Sequence, residues 1–118
     1  MKLTNFHIVR ALGYALQGLR AVWQTEIAFR QEVYAGIVIV PLGLFLGATP
    51  VEKVLLVGSW LLVLVVEIIN SSLETIVDLA QPEQHPLAGR AKDMGAAAIL
   101  VTILLAVFIW AILIWQSF

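Results

Sequence analysis

Three long apolar stretches separated by short polar breaks organise this chain, and a differently patterned segment precedes them. Over residues 5–31, Leu12, Leu16, Leu19 and Trp23 recur at steps of four and three, while His7, Arg10, Tyr14 and Gln17 fall on another face. That spacing predicts an amphipathic helix lying in the headgroup plane, its apolar side inward and its charges toward water. Glu26 and Glu32, which an anionic membrane surface would repel, are not explained by anchoring alone. The first spanning stretch is predicted over 33–48. It is short for a hydrocarbon core of about 30 Å, so it is expected to borrow residues from the preceding helix. Pro41 predicts a kink, with neighbouring helices covering the freed backbone group. Thr49 reads as an N-cap, with Pro50 at the first helical position and Glu52 in the first turn. The second span is predicted over 51–80. Roughly thirty helical residues cover about 45 Å, so one end must project into headgroups or water. Gln81, Pro82, His85, Pro86 and Gly89 form a short polar loop. The third span, predicted over 94–118, carries no charge and places Trp110 and Trp115 as interface anchors.

Composition supports an all-α membrane protein in one domain, 1–118. The chain is 61% hydrophobic and only 13% charged, with a mean hydropathy of +0.96, far from a soluble average. Three spans have little interior of their own, which predicts packing with further copies. With no cysteine there can be no disulfide, thiolate metal site or cysteine nucleophile. A net charge of -1 offers no nucleic-acid footprint. The N-terminal region, with Lys2, Arg10, Arg20 and Arg30 spread along it, lacks the pattern of a cleavable signal and is expected to stay in the mature protein. Those four, with Arg90 and Lys92, lie on one side of the predicted spans and only Lys53 on the other. This predicts a cytoplasmic N-terminus and a cytoplasmic 81–93 loop.

The most informative residue is Glu67, a carboxylate within the apolar run 54–70. A charge near mid-membrane costs about 3 kcal/mol or more, so such a residue is a site hypothesis by default. Asn70, Ser71, Glu74 and Asp78 follow at helical spacing on the same side. Glu67 and Glu74 are two turns apart, about 10.5 Å along the axis, too far to share one metal ion directly. A division of labour in depth is expected. Glu67, deeper, would take a proton from a substrate hydroxyl as a general base. Glu74, nearer water, would hold Mg²⁺, which favours one or two carboxylates plus substrate phosphates, with Glu26 as the second ligand. The blander alternatives are a Glu that hydrogen-bonds a neighbouring helix or relays protons in a carrier, and an Asn70 that glues helices together. Asp78 could simply solvate a helix end or pair with a nearby Lys or Arg. Lys92, beside Asp93, suits phosphate neutralisation, whereas Arg90 reads as an ordinary topology-setting charge. No Walker phosphate loop, glycine-rich kinase loop or Asp-Phe-Gly occurs.

Three segments, Glu26-x-Ala-Phe-Arg-Gln-Glu32, Glu67-Ile-Ile-Asn70-Ser-Ser-x-Glu74-x-x-x-Asp78 and Gly89-Arg-Ala-Lys-Asp-Met-Gly95, together resemble the prokaryotic diacylglycerol kinases. These are small integral-membrane lipid kinases unrelated to soluble kinases, and the resemblance covers essentially the whole chain. It implies a homotrimer of three-span protomers with a surface helix, in the bacterial inner membrane, with active sites between subunits. It implies transfer of the ATP γ-phosphoryl group to diacylglycerol, with Glu67 as catalytic base and Mg²⁺ on Glu26 and Glu74. Nucleotide contacts are implied at His7, Tyr14, Glu26, Glu74, Glu83, Gln84, His85, Lys92 and Asp93. Lipid-substrate contacts are implied at His7, Ala11, Gly13, Tyr14, Arg20, Trp23, Ala28, Phe29, Arg30, Gln31, Glu32, Lys53, Glu67, Asn70, Ala96, Trp110 and Trp115. Where the family often has an arginine early in the surface helix, this chain has His7, with Arg10 one turn later; a neutral imidazole contacts phosphate more weakly. Residues 28–32 resemble the diacylglycerol-specific, Gram-negative branch. The alternatives are an undecaprenol kinase of the same family and a non-enzymatic small membrane carrier.

Overall fold

A computed structural model describes residues 2–117, with side chains from Phe6 onward; Met1 and Phe118, the last residue of the third predicted span, lie outside the described residues. Among the described residues four helices follow one another: α1 (Lys2–Thr25), α2 (Ile27–Leu46), α3 (Pro50–Ala80) and α4 (Pro86–Ser117). α2, α3 and α4 are each long and apolar enough to cross a membrane. α3 is the hub, packing against α2 on one flank and α4 on the other, while α1 touches mainly the start of α2. The Cα radius of gyration is 17.5 Å, against about 13.5 Å for a globular chain of this length. Much apolar surface is therefore left uncovered: only 11% of the apolar windows of α2 and α4 is buried within the protein, against 33% for α3.

The helix ends follow local chemistry. Thr49 caps α3, its Oγ1 accepting from the Glu52 backbone N–H at 3.2 Å and donating to Glu52 Oε2 at 3.1 Å, with Pro50 at the first helical position. The Thr-x-x-Glu spacing thus satisfies one of the orphan donors of the first turn. Pro41 sits inside α2 without ending it. Two boundaries differ from the sequence reading. The break between the surface segment and the first span falls at Glu26, whose backbone is extended (φ -114, ψ 108), so α2 takes residues 27–32 and gains the length that 33–48 lacked. α4 begins at Pro86 rather than at 94, because Gly89–Gly95 is compatible with helix even though its charges read as loop.

One stripe of α3 is buried: Leu56, Ser59, Val63, Glu67, Asn70 and Ser71, the face defined by steps of three and four. Its far end is closed by Trp110, which the sequence reading placed as an interface anchor. Its indole Nε1–H donates to the Leu56 carbonyl at 3.0 Å and is half-buried. A half-buried indole N–H needs a partner, and the Leu56 carbonyl is the one in reach. Gly43 lets this clamp close. A Cβ there would meet Leu56 Cβ at 3.1 Å and Trp110 Cζ2 at 3.5 Å. Lys53 Nζ donates to the Leu44 carbonyl at 2.6 Å, tying the end of α2 to the start of α3. Thr49→Ala is expected to remove about 1 kcal/mol of stability through loss of the cap, and Thr49→Ser to restore it. A detergent-unfolding titration of the purified protein reads both, and equal midpoints for wild type and Thr49→Ala would contradict the capping role.

Candidate functional site

The buried stripe of α3 changes character along its length, from Leu56 and Val63 at one end to Glu67, Asn70 and Ser71 at the other. Glu67 is only 4% exposed. Three further carboxylates lie within electrostatic reach of it. Glu26 and Glu74 are near enough to act on its charge, and the side chain of Glu32 meets its carboxyl directly. Glu67 and Glu74 come from α3, Glu32 from the first turns of α2, and Glu26 from the break between α1 and α2. Because Glu26 stands outside both helices, its side chain escapes helical register. Although it occupies the N-cap position of α2, it makes no capping bond, which leaves its carboxylate available.

The break is braced on both sides. Arg30 Nη1 donates to the Trp23 carbonyl at 3.0 Å, satisfying one of the orphan acceptors at the end of α1. The rings of Trp23 and Tyr34 meet edge-to-face with centroids 5.6 Å apart, and Phe29 nearby in sequence is buried. Trp23 and Arg30, expected to contact lipid, therefore hold the joint that places Glu26.

On the α4 side, Asn70 Nδ2 donates to Glu74 Oε1 at 3.0 Å. Asn70 Oδ1 lies against Gly95 so closely that any Cβ there would overlap it. Among the described residues, three buried side-chain oxygens lack a hydrogen-bond partner: Glu32 Oε2, Asn70 Oδ1 and Ser71 Oγ. Buried polar atoms are normally satisfied, and all three unsatisfied ones belong to this end of the bundle.

Two clefts lie toward this end of the bundle. One, of about 550 Å³, lies at the α3–α4 connection and is lined by Asp78, Gln81, Glu83, Gln84, His85, Gly89 and Lys92 among others. Lys92 pairs with Asp78 at 2.5 Å across it, so the partner that the sequence left open for Asp78 is Lys92. His85 Nδ1 accepts from the Leu87 backbone N–H at 3.1 Å, capping the start of α4. The other cleft, of about 560 Å³, runs between α1 and α3. Leu19, Val22 and Ile68 give it apolar walls, and Thr25, Glu26, Ser71, Ser72 and Thr75 a polar rim.

The predicted residues divide accordingly. Glu26, Glu32, Glu67, Asn70 and Glu74 come together, and Glu83, Gln84, His85 and Lys92 share the neighbouring cleft. Asp93 and Ala96 are exposed on α4, and Ala28 and Gln31 on the first turns of α2. His7, Ala11, Tyr14 and Arg20 are exposed on α1, and Gly13 half-exposed; Tyr14 is twelve residues before Glu26, about 18 Å of helix. Lys53 and Trp110 belong to the opposite end of the bundle, Lys53 lying about 32 Å along α3 from Glu74, and Trp115 is exposed near the end of α4. Sequence reasoning passed over Trp60, whose Nε1–H donates to the Glu32 carbonyl at 3.0 Å. It also missed Gly36 beneath that indole and the fit of Gly95 to Asn70. The one available signal was an indole N–H in the middle of an apolar helix, which must find an acceptor.

Comparison with known proteins identifies the family. Residues 13–114 match the family model of prokaryotic diacylglycerol kinase. The chain is 48% identical over 111 residues to the diacylglycerol kinase of Escherichia coli K12, covering 94% of this chain and 91% of that protein. It is 39% identical over 104 residues to that of Haemophilus influenzae, 88% of each chain. To that of Pseudomonas aeruginosa it is 40% identical over 104 residues, 88% of this chain and 85% of the relative. On the strength of these matches, spanning both the carboxylate cluster and the helices that build it, the chain belongs to the prokaryotic diacylglycerol kinase family.

Proposed function

We propose that this protein transfers the γ-phosphoryl group of ATP to the hydroxyl of diacylglycerol, giving phosphatidate and ADP, at the cytoplasmic face of the bacterial inner membrane. The observation that carries the reading is Glu67, buried in a helix that is apolar on one side of it and polar on the other, with three further carboxylates around it. A lipid alcohol diffusing in the bilayer presents its hydroxyl at that depth, and a triphosphate reaches it from water.

Phosphoryl transfer depends on positioning and charge neutralisation more than on covalent help from the protein. Glu67 accepts the hydroxyl proton as the lipid oxygen attacks the γ-phosphorus. Glu26 and Glu74 are the residues that would hold Mg²⁺. Mg²⁺ favours one or two carboxylates and completes its shell with phosphate and water. The donor set fits: Glu26 is not spent on capping, and Asn70 engages one oxygen of Glu74 and orients it. When bound, the ion neutralises charge on the phosphates. Lys92 and the cleft at the α3–α4 connection take the nucleotide, Lys92 exchanging its contact with Asp78 for phosphate. The cleft between α1 and α3, apolar inside and hydroxyl-lined at the rim, accepts the lipid. The uncovered apolar faces of α2 and α4, and the placement of Tyr14 and His7 along α1 away from the cluster, support a homotrimer in which neighbouring protomers complete each site.

Glu67→Gln, nearly isosteric but unable to accept a proton, is expected to insert normally and lose roughly 10²- to 10⁴-fold in kcat; full activity would refute its assigned role. The substrate is read by offering diacylglycerol and undecaprenol separately with labelled ATP. Phosphatidate as the dominant product supports the proposal, and preferential labelling of the polyprenol overturns it. Gly95→Ala, which displaces Asn70 from its place beside Glu74, is expected to lower kcat by about tenfold or more through misplacement of that carboxylate. Unchanged turnover would show that Asn70 does not orient Glu74.

A further inference from the structure

Trp60 lies in the interior of α3, one of two tryptophans whose indole N–H crosses to another helix element's backbone. Trp110 closes the far end of the bundle. Trp60 sits two turns before Glu67 on the same helix, about 10.5 Å away along the axis. Its Nε1–H donates to the Glu32 carbonyl at 3.0 Å, and Glu32 is the residue whose side chain meets Glu67. The indole can lie there because residue 36 has no side chain. A Cβ on Gly36 would stand 3.1 Å from Trp60 Nε1 and 3.3 Å from Cδ1, tighter than the ring could accept without moving.

We propose that Trp60 is a positioning residue for the phosphoryl-transfer site, holding Glu32 of α2 against Glu67 of α3 through its indole N–H and the bare backbone of Gly36. The geometry is coherent in both helices. α2 and α3 run antiparallel, so one turn back from Gly36 to Glu32 advances toward the same end of the bundle as the two turns from Trp60 to Glu67. A helical Cα–Cβ bond tilts toward the helix N-terminus, which leans the Glu32 side chain further in that direction. Glu32 Oε2 is buried without an N–H or O–H donor, so nothing else among the described residues holds that oxygen. The register of α2 on α3, fixed by the indole bond one turn away, sets where the Glu32 carboxyl stands. An error of about 1 Å in such a placement can cost on the order of 10²-fold in rate.

This inference rests on Glu67 being the proton acceptor, and the tests keep the two apart. Trp60→Phe, Glu32→Gln and the double variant are assayed as purified full-length protein in mixed micelles with diacylglycerol and MgATP. Trp60→Phe is expected to lower kcat about fivefold, the worth of one neutral hydrogen bond, with KM for ATP unchanged. In the Glu32→Gln background the same substitution is expected to cost nothing further, because residues acting through one another are not additive. Gly36→Ala keeps the indole but displaces it. It is expected to reproduce the loss and its disappearance in the Glu32→Gln background, and it serves where Trp60→Phe lowers the yield of assembled protein. Full kcat in Trp60→Phe, or a loss that persists undiminished beside Glu32→Gln, overturns the proposal. Deuterium exchange of the Trp60 indole proton reads the contact independently of turnover: slow exchange is expected, and exchange as fast as that of the exposed Trp115 overturns it. Retained activity in Glu67→Gln would remove the proton-acceptor reading while leaving that exchange result untouched.

Discussion

Keeping Glu67 inside a membrane-length helix costs about 3 kcal/mol or more for a charged group, and the neighbouring helices are arranged around that cost. α3 packs against both α2 and α4, so a polar residue on its buried stripe is removed from lipid without being removed from other polar groups. Glu32 comes from the α2 side, Asn70 and Glu74 continue the stripe, and Glu26 arrives from the break before α2. Placed instead on the outer face of α2 or α4, the same carboxylate would point into hydrocarbon. The hub position of α3 is thus a requirement of the site as well as a packing solution.

Close approach of helices is achieved by the same device three times. Gly43 admits Leu56 and Trp110, Gly36 admits Trp60, and Gly95 admits Asn70. Within a bilayer there is little hydrophobic force between helices, so small residues and interhelical hydrogen bonds carry association. Here they act in pairs. Gly36 comes with the Trp60–Glu32 bond and Gly43 with the Trp110–Leu56 bond. The Gly95 contact differs because its partner, Asn70, is itself bound to a carboxylate of the cluster. Packing at the far end serves stability, whereas packing at the polar end transmits directly to Glu74 and Glu32.

What the chain's pattern made legible was local or periodic. The three apolar stretches, the Thr49 cap with Pro50 and Glu52, and the stripe from Glu67 to Asp78 each follow from residues within one helix. Glu26 reads as a companion to Glu74 from its place at the end of the first helix, and the resemblance to a known family implies the same pair. The break at Glu26 was misplaced because residues 27–32 are good helix formers and the signal for the break is not local. It is held by Arg30 reaching the Trp23 carbonyl and by the Trp23–Tyr34 stack, contacts that appear only once the two helices turn against each other. Trp110 and Lys53 were read by type, as an interface aromatic and a charge on the outer side. Their hydrogen bonds to Leu56 and Leu44 carbonyls depend on which helix lies opposite, which spacing along one helix does not encode.

The three unpartnered oxygens connect these points. Glu32 Oε2, Asn70 Oδ1 and Ser71 Oγ come from two helices yet collect at one end of the bundle, while the indoles and hydroxyls of the far end find acceptors within the protein, as Trp110 and Ser59 do at Leu56. A bundle selected only for stability would be expected to satisfy or remove such atoms, since each costs on the order of 1–3 kcal/mol when buried alone. Their confinement to the carboxylate end sets that end apart from the far end, where polar side chains find partners within the chain. A lipid hydroxyl, phosphate-bound water and a metal hydration shell each bring donors, and acceptors are what this end of α3 holds in surplus.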